Sequence, residues 1–464
     1  MKKFLPLLLL LLPALAQAAD FDGAQLSLAW ALPFAGILLS IAVFPLVAPN
    51  VWHSHYGKVI AAWTVVFLLP LGATFGPALA GQVVVHALLA EYIPFILLLF
   101  ALYTASGGIL LTGTLHGSAK LNTGLLALGT LLASIMGTTG AAMLLIRPLL
   151  KANEHRSHNV HVVVFFIFLV ANIGGGLTPL GDPPLFLGFL KGVDFFWTLK
   201  HMLPSVLFCS AVLLVLFYVI DSYFFRHEDL PPRPEPQYDV PLKLTGKRNF
   251  WLIGGIVGAV LLSGLWKPGI TFDIWGTHVG LESVARDVLL LGIGIVSLLI
   301  TPKQVRAGNE FNWEPILEVA KLFAGIFITI APAIAILRAG EAGQLAALVK
   351  SVSHPDGRPM DIMYFWTTGI LSSFLDNAPT YLVFFNLAHG DPVHMMGPLA
   401  STLLAISMGA VFMGANTYIG NAPNFMVKAI AEQRGVQMPS FFGYMAWSGV
   451  ILIPLFVLVT LVFF

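Results

Sequence analysis

Charge is scarce in this chain. Of 464 residues, only 10% are Asp, Glu, Lys or Arg, and the net charge is +1. Soluble domains carry about 25% charged residues, so a water-facing globular fold is excluded. Near-neutrality also gives no electrostatic footprint for nucleic acid or for another strongly charged partner. Cysteine is nearly absent as well. Cys209 stands alone, so there is no intrachain disulfide, no cysteine-type metal centre and no thiol redox pair. Its expected role is helix packing. No His-Glu-x-x-His string and no Gly-x-Ser-x-Gly elbow occur, which removes two common hydrolase signatures.

What is abundant is apolar: 57% of residues, with a mean hydropathy of +0.86. The fold class is therefore an all-α polytopic membrane protein, built from spanning helices of about 20 residues. Lys2 and Lys3 precede an apolar run, Phe4 to Leu15, and then Ala16-Gln17-Ala18. This pattern reads as a signal peptide over 1–19, cleaved near Ala18 or Ala19. Asp20 would then lie outside the inner membrane of a bacterium. The alternative is an uncleaved anchor.

Apolar windows fall at 27–47, 59–80, 92–113, 121–150, 159–190 and 202–224. A polar stretch over 226–249 follows, including Pro231-Pro232-Arg233-Pro234-Glu235-Pro236, and reads as a solvated cytoplasmic linker. The rhythm then repeats at 250–266, 287–300, 315–337, 362–388, 398–430 and 441–464. Residues 20–225 and 250–464 are thus read as two repeats. Each would hold five spans and one re-entrant hairpin.

Two pairs of features carry this reading. Thr178-Pro179-Leu180-Gly181-Asp182-Pro183-Pro184 and Thr417-Tyr418-Ile419-Gly420-Asn421-Ala422-Pro423 both interrupt apolar windows. Gly137-Thr138-Thr139-Gly140 and Asp376-Asn377-Ala378-Pro379-Thr380 interrupt the fourth window of each half. Unwound backbone at membrane depth is tolerated only where it is buried in protein or lines a cavity. Matching breaks in two halves point to a transporter binding site. Aligning Ser134 with Ser373, and Thr178 with Thr417, gives the same offset of 239 (373 − 134 and 417 − 178).

With five spans per half and an outside N-terminus, the halves have opposite orientation, as inverted repeats require. The inner loops then hold fourteen Lys and Arg and the outer loops seven, an inner excess that agrees with the positive-inside rule.

Asp376 and Asn377 mark the second hairpin tip. A charged, unpaired carboxylate inside a membrane is costly, so such a group typically binds a cation or carries a proton. The alternative is an Asp that caps the second half-helix. Asp182, after Gly181, offers a second carboxylate or else an Asx turn that shapes the break. Asn421 holds the equivalent place in the second half, so a side-chain oxygen matters there more than charge. Thr138, Thr139, Asn172, Thr178, Asn416, Thr417 and Asn424 add oxygens around the breaks. Unwound carbonyls with such groups suit Na+, whereas half-helix N-termini suit an anion. Gly174-Gly175-Gly176 permits close backbone approach or small-residue packing. Arg147 is either an inner-face anchor or a clamp for a carboxylate. Glu318 and Lys321, three apart, read as an interfacial pair. Five histidines (His53, His55, His155, His158, His161) fall in expected loops.

The strings Ala171-Asn172-Ile173-Gly174-Gly175, Thr178 to Pro184 and Leu375-Asp376-Asn377-Ala378-Pro379-Thr380 resemble the ion transporter superfamily over about 27–464. The likeness is to D-type sodium/proton antiporters and to the related citrate-transporter group. It implies cation sites at Asp376, Asn377, Thr178 and Asp182, with Asn416 and Thr417 opposite. It also implies a homodimer with a fixed scaffold and a moving transport part. Two departures stand out. The Ser-Asn-Thr tips of sodium-dicarboxylate symporters are missing, and Leu185 replaces an Asn that survives only as Asn424.

The expected function is Na+/H+ antiport, with Asp376 and Asp182 as coupling carboxylates. Thr138, Thr139, Asn172, Thr178, Gly181, Asn377, Thr380, Asn416, Thr417, Asn421 and Asn424 would line the site. Na+ is expected as transported or coupling ion, with no cofactor, no nucleic acid, and the bilayer as surroundings. The runner-up is cation-coupled carboxylate transport with Arg147 as clamp. Arsenite efflux, an aspartyl enzyme built on Asp182 and Asp376, and a channel are weaker alternatives.

Overall fold

The computed structural model describes residues 21–228 and 239–464. The signal segment 1–19 and the proline string of the linker, Pro231 to Pro236, lie outside the described residues.

Helices dominate. The first half runs α1 (Leu32–Val47), α2 (Pro49–Phe75), α3 (Pro77–Ser106), α4 (Ala119–Met136), α5 (Thr138–Ala152), α6 (Val160–Leu169), α7 (Pro183–Leu190) and α8 (Phe195–His227). The second half runs α9 (Arg248–Leu265), α10 (Leu281–Ile300), α11 (Glu314–Thr329), α12 (Ala331–Arg338), α13 (Asp361–Phe374), α14 (Asn377–Leu387), α15 (Ala400–Met413), α16 (Ala422–Gln433) and α17 (Phe441–Phe463). Among the described residues, nine helices are long and apolar enough to cross a membrane. The count is ten if α11 and α12, bent by 45°, form one span. The chain is a multi-pass membrane protein.

Local chemistry sets the ends of these elements. Pro49 and Pro77 open α2 and α3, where a missing N–H costs nothing. Ser118, Asp194 and Ser440 cap α4, α8 and α17 by accepting from the N–H of Leu121, Trp197 and Gly443. The second apolar window extends back to Pro49, because Asn50, His53, Ser54 and His55 hid two turns from hydropathy. Gly76, at φ 92°, ends α2.

Both fourth windows fold back on themselves. In the first, Gly117 N–H donates to Ala152 O at 2.8 Å, and Asn122 and Asn153 pair through both side chains at 2.9 Å. α4 and α5 therefore run antiparallel about Gly137, whose φ of 80° turns the chain. In the second, Tyr364 and Phe384 meet edge to face at 6.1 Å across α13 and α14. The fifth windows break. α6 gives way to a 3-10 turn, Ile173–Leu177, before α7, and α15 gives way to Gly414–Asn416 before α16.

The break in the first half lies deep inside. Over Val160–Leu177, 89% of the most apolar window is buried, against 17% for α2. The unwound backbone is thus wrapped in protein, as a membrane requires.

Two small antiparallel pairs complete the fold. β1 (Leu110–Thr112) pairs with β2 (Lys243–Thr245), with Leu110 opposite Thr245. β3 (Thr271–Ile274) pairs with β4 (Thr277–Gly280). The far end of the linker is exposed and also anchored: Val240 and Leu242 are exposed, Thr114 N–H donates to Val240 O at 2.9 Å, and His116 faces Asp239 at 2.9 Å.

Candidate functional site

The breaks and the hairpin tips are stitched together by the same bond in each half. Thr178 Oγ1 donates to Ser134 O at 2.5 Å. Its counterpart at offset 239, Thr417 Oγ1, donates to Ser373 O. Each threonine also accepts from backbone N–H groups two or three residues on, which shapes its loop. The Thr178 and Thr417 hydroxyls are therefore each engaged with a hairpin tip and with their own loop.

Asp182 is the point of convergence. Its side chain is buried and takes three donors. Thr138 Oγ1 and Asn421 Nδ2 reach Oδ1 at 3.2 and 3.0 Å. Asn377 Nδ2 reaches Oδ2 at 2.5 Å. Thr138 and Asn377 are counterparts under the 239 offset (377 − 138), and so are Asp182 and Asn421 (421 − 182). Asp182 and Asn421, corresponding residues bonded to each other, lie where the two halves meet. One carboxylate is thus shared by both halves, held by neutral donors only.

The backbone around it is close-packed. Thr138 N–H donates to Gly181 O at 2.9 Å, tying the first tip to the first break. A Cβ on Gly181 would run into the Gly175 carbonyl, and backbone cannot step aside as a flexible side chain can. Gly181→Ala is therefore expected to destabilise the protein by about 1–3 kcal/mol, read as a lower midpoint in a detergent melt. An unchanged midpoint would contradict this packing.

A second polar link is made once instead of twice. Asn172 Nδ2 donates to Asn424 Oδ1 at 2.7 Å, and Asn172 Oδ1 accepts from Asn421 at 3.3 Å. Asn424 Nδ2 in turn satisfies Gly414 O and Thr417 O. The counterparts of Asn172 and Asn424 are Val411 and Leu185 (172 + 239 and 424 − 239), both apolar and buried. The departure at Leu185 is thus matched by Val411, and the site is one-sided.

Two buried oxygens in the site lack partners. Among the described residues, Asn377 Oδ1 and Asn416 Oδ1 have no hydrogen-bond partner, although Asn416 Nδ2 donates to Ser373 Oγ at 2.9 Å. Such orphan acceptors call for an explanation, and a cation is one. Among the described residues, no group of three or more His, Cys, Asp or Glu could hold a metal ion. The donor set is one carboxylate with amide, hydroxyl and carbonyl oxygens, which suits a hard, weakly held cation.

Other expected site residues lie differently. Asp376 Oδ1 accepts from Ala378 N–H at 3.0 Å and caps α14. No hydrogen bond joins it to Asp182. Thr380 Oγ1 bonds back to Asp376 O at 2.9 Å. Thr139 makes no side-chain hydrogen bond among the described residues. Arg147 lies away from the cluster: its Nη2 contacts Glu310 at 3.2 Å, and Arg434 contacts the other oxygen of that carboxylate at 3.2 Å. Lys321 meets Tyr56 at 3.4 Å instead of Glu318. His161 is a buried residue of α6 bonded to Asp221 at 2.8 Å; the apolar run that follows it was the available signal.

The family described as "Putative citrate transport" matches residues 23–464. A 46 kDa membrane protein of Mycobacterium leprae is 25% identical over 417 residues, covering 87% of this chain and 86% of its own. An uncharacterized transporter of Synechocystis sp. is 25% identical over 366 residues, 72% of this chain and 74% of its own. An uncharacterized transporter of Mycobacterium tuberculosis is 26% identical over 319 residues, 67% and 69% of the two chains.

Proposed function

From the premise that the chain belongs to the family described as "Putative citrate transport", we propose that it is a secondary transporter exchanging Na+ for protons by alternating access. The observation that carries this is the buried Asp182 carboxylate, met by donors from both hairpin tips and from the second break. A carboxylate in low dielectric holds either a proton or a cation, and the two compete for it. Na+ would be bound by Asp182 with the free oxygens of Asn377 and Asn416. Asp376 is the neighbouring carboxylate, held as a cap. We place the protein in a bacterial inner membrane with a periplasmic N-terminus, its halves as inverted repeats, and expect a homodimer.

The second reading is cation-coupled carboxylate transport, favoured by the family description and by one observation. Glu310 already lays a carboxylate between Arg147 and Arg434. Partial burial of Glu310 raises its pKa, but the two guanidinium groups outweigh that and the net shift is downward. A depressed carboxyl adds stability that is complete above its ordinary value, about 4.3, and lost as pH falls through the folded value. The bridge therefore holds throughout the neutral range. On this reading Glu310→Gln frees both arginines and raises citrate uptake at sub-saturating citrate. On the antiport reading it leaves Na+ exchange unchanged.

Proteoliposomes with an internal pH dye separate the two. Pulses of Na+ or Li+ should move protons and citrate should not. A response to citrate alone would overturn antiport in favour of carboxylate transport.

A further inference from the structure

A carboxylate in the middle of an apolar span is costly unless paired. Glu91 is such a group. It lies midway along α3 and is 5% exposed. It also sits in a π-helical turn, Ala87–Tyr92, a widened turn that recurs at functional positions. Its partner is Lys191, the residue that ends α7, and the two form a short charge-assisted hydrogen bond. Lys191 follows Asp182 by nine residues, so it is carried by the broken span that holds the binding cluster. Glu91 belongs to α3, which among the described residues gives no hydrogen bond to the Asp182 carboxylate.

The position of the cluster along α3 is fixed at a second point. Ser106 Oγ donates to Met136 O at 3.3 Å, and a Cβ on Gly137 would lie 3.6 Å from Leu102. The tip of the first hairpin, next to Thr138 and therefore to Asp182, thus rests at the Ser106 end of α3. Glu91 is fifteen residues (106 − 91) further up that helix, about 22 Å at 1.5 Å per residue. By the distribution of Lys and Arg, the Ser106 end is the inner side.

We propose that Glu91 and Lys191 form the ionic lock that keeps the binding cluster at the Ser106 end of α3, and that they separate when the cluster turns to the other side. This rests on the alternating-access reading above. Separation leaves the Glu91 carboxylate unpaired inside an apolar span, so the pair favours the present arrangement. The bridge from Arg147 and Arg434 to Glu310 is the other ionic link to a peripheral loop, but Glu310 is 49% exposed. Exposed pairs contribute little, whereas breaking a buried pair is strongly unfavourable. The buried pair therefore dominates.

The test uses cysteine accessibility in a Cys209→Ser background, with Thr139→Cys as reporter at the hairpin tip. A membrane-impermeant maleimide is applied to right-side-out and inverted vesicles. With the lock intact, labelling should come from the inner face. Glu91→Gln, and Glu91→Gln with Lys191→Met, should raise outer-face labelling by about tenfold or more. The charge-reversed pair, Glu91→Lys with Lys191→Glu, should return it towards the parent rate. The proposal is overturned if variants that elute as folded protein label like the parent on both faces. It is equally overturned if the reversed pair labels like the single variant. Should labelling shift while neither Na+ nor citrate moves protons, the lock stands and the substrate assignment fails.

Discussion

Replacing Asp182 with Asn removes Na+-driven proton exchange and leaves a folded protein. The residue is the one carboxylate that both hairpin tips and the second break address. Asn carries no charge to trade between a proton and Na+. A hundredfold loss of Na+ affinity, about 2.7 kcal/mol, is the expected scale. Folding should suffer little. Asn occupies the corresponding place in the second half, Asn421, and one of three hydrogen bonds is lost, worth about 1 kcal/mol. Asp376→Asn is the informative control. Asn caps a helix as well as Asp does, and among the described residues the Asp376 side chain accepts only the Ala378 N–H. Exchange should therefore survive in that variant. Loss of exchange in Asp376→Asn with retention in Asp182→Asn would move the coupling role to the hairpin tip.

Replacing Asp221 with Ala is expected to cost stability on the largest scale. Arg156 is held by Asp221 at 2.6 Å and Glu228 at 2.8 Å, and the Arg156 and Asp221 side chains are fully buried. His161 and Asn122 converge on the same carboxylate at 2.8 and 2.9 Å. The cluster ties α4, α6 and α8 to the loop after α5. Removing one member leaves a buried guanidinium short of its counter-charge, which costs about 3–5 kcal/mol. The check is the detergent melting midpoint, with Asp221→Asn as a milder variant that keeps an acceptor. A midpoint equal to the parent in Asp221→Ala would show that Glu228 alone suffices to hold Arg156.

The architecture was legible because glycine, proline and polar residues interrupt apolar windows in matched places. The spacing of 239, read from Ser134, Thr178, Ser373 and Thr417, reappears as the same hydrogen bond in both halves. Which aspartate stands at the centre was not legible. A hairpin tip looks like the sharper feature in one dimension, but Asp182 gathers Thr138, Asn377 and Asn421 from three distant segments. Glu91 fell between the apolar windows at 59–80 and 92–113, and its partner sits 100 residues away. The π turn around it has no sequence signature. Short strands such as β2 are also too brief for periodicity to reveal, and their pairing depends on where two loops meet.

The most direct measurement is the melting midpoint of the purified protein titrated with NaCl, against choline chloride for ionic strength, in the parent and in Asp182→Asn. A ligand that binds only the folded state raises the midpoint as its concentration passes its Kd. The account predicts a Na+-specific rise in the parent that is absent in Asp182→Asn. Equal Na+-specific rises in both proteins would contradict it, because the cation would then be held without the carboxylate at the centre of the site.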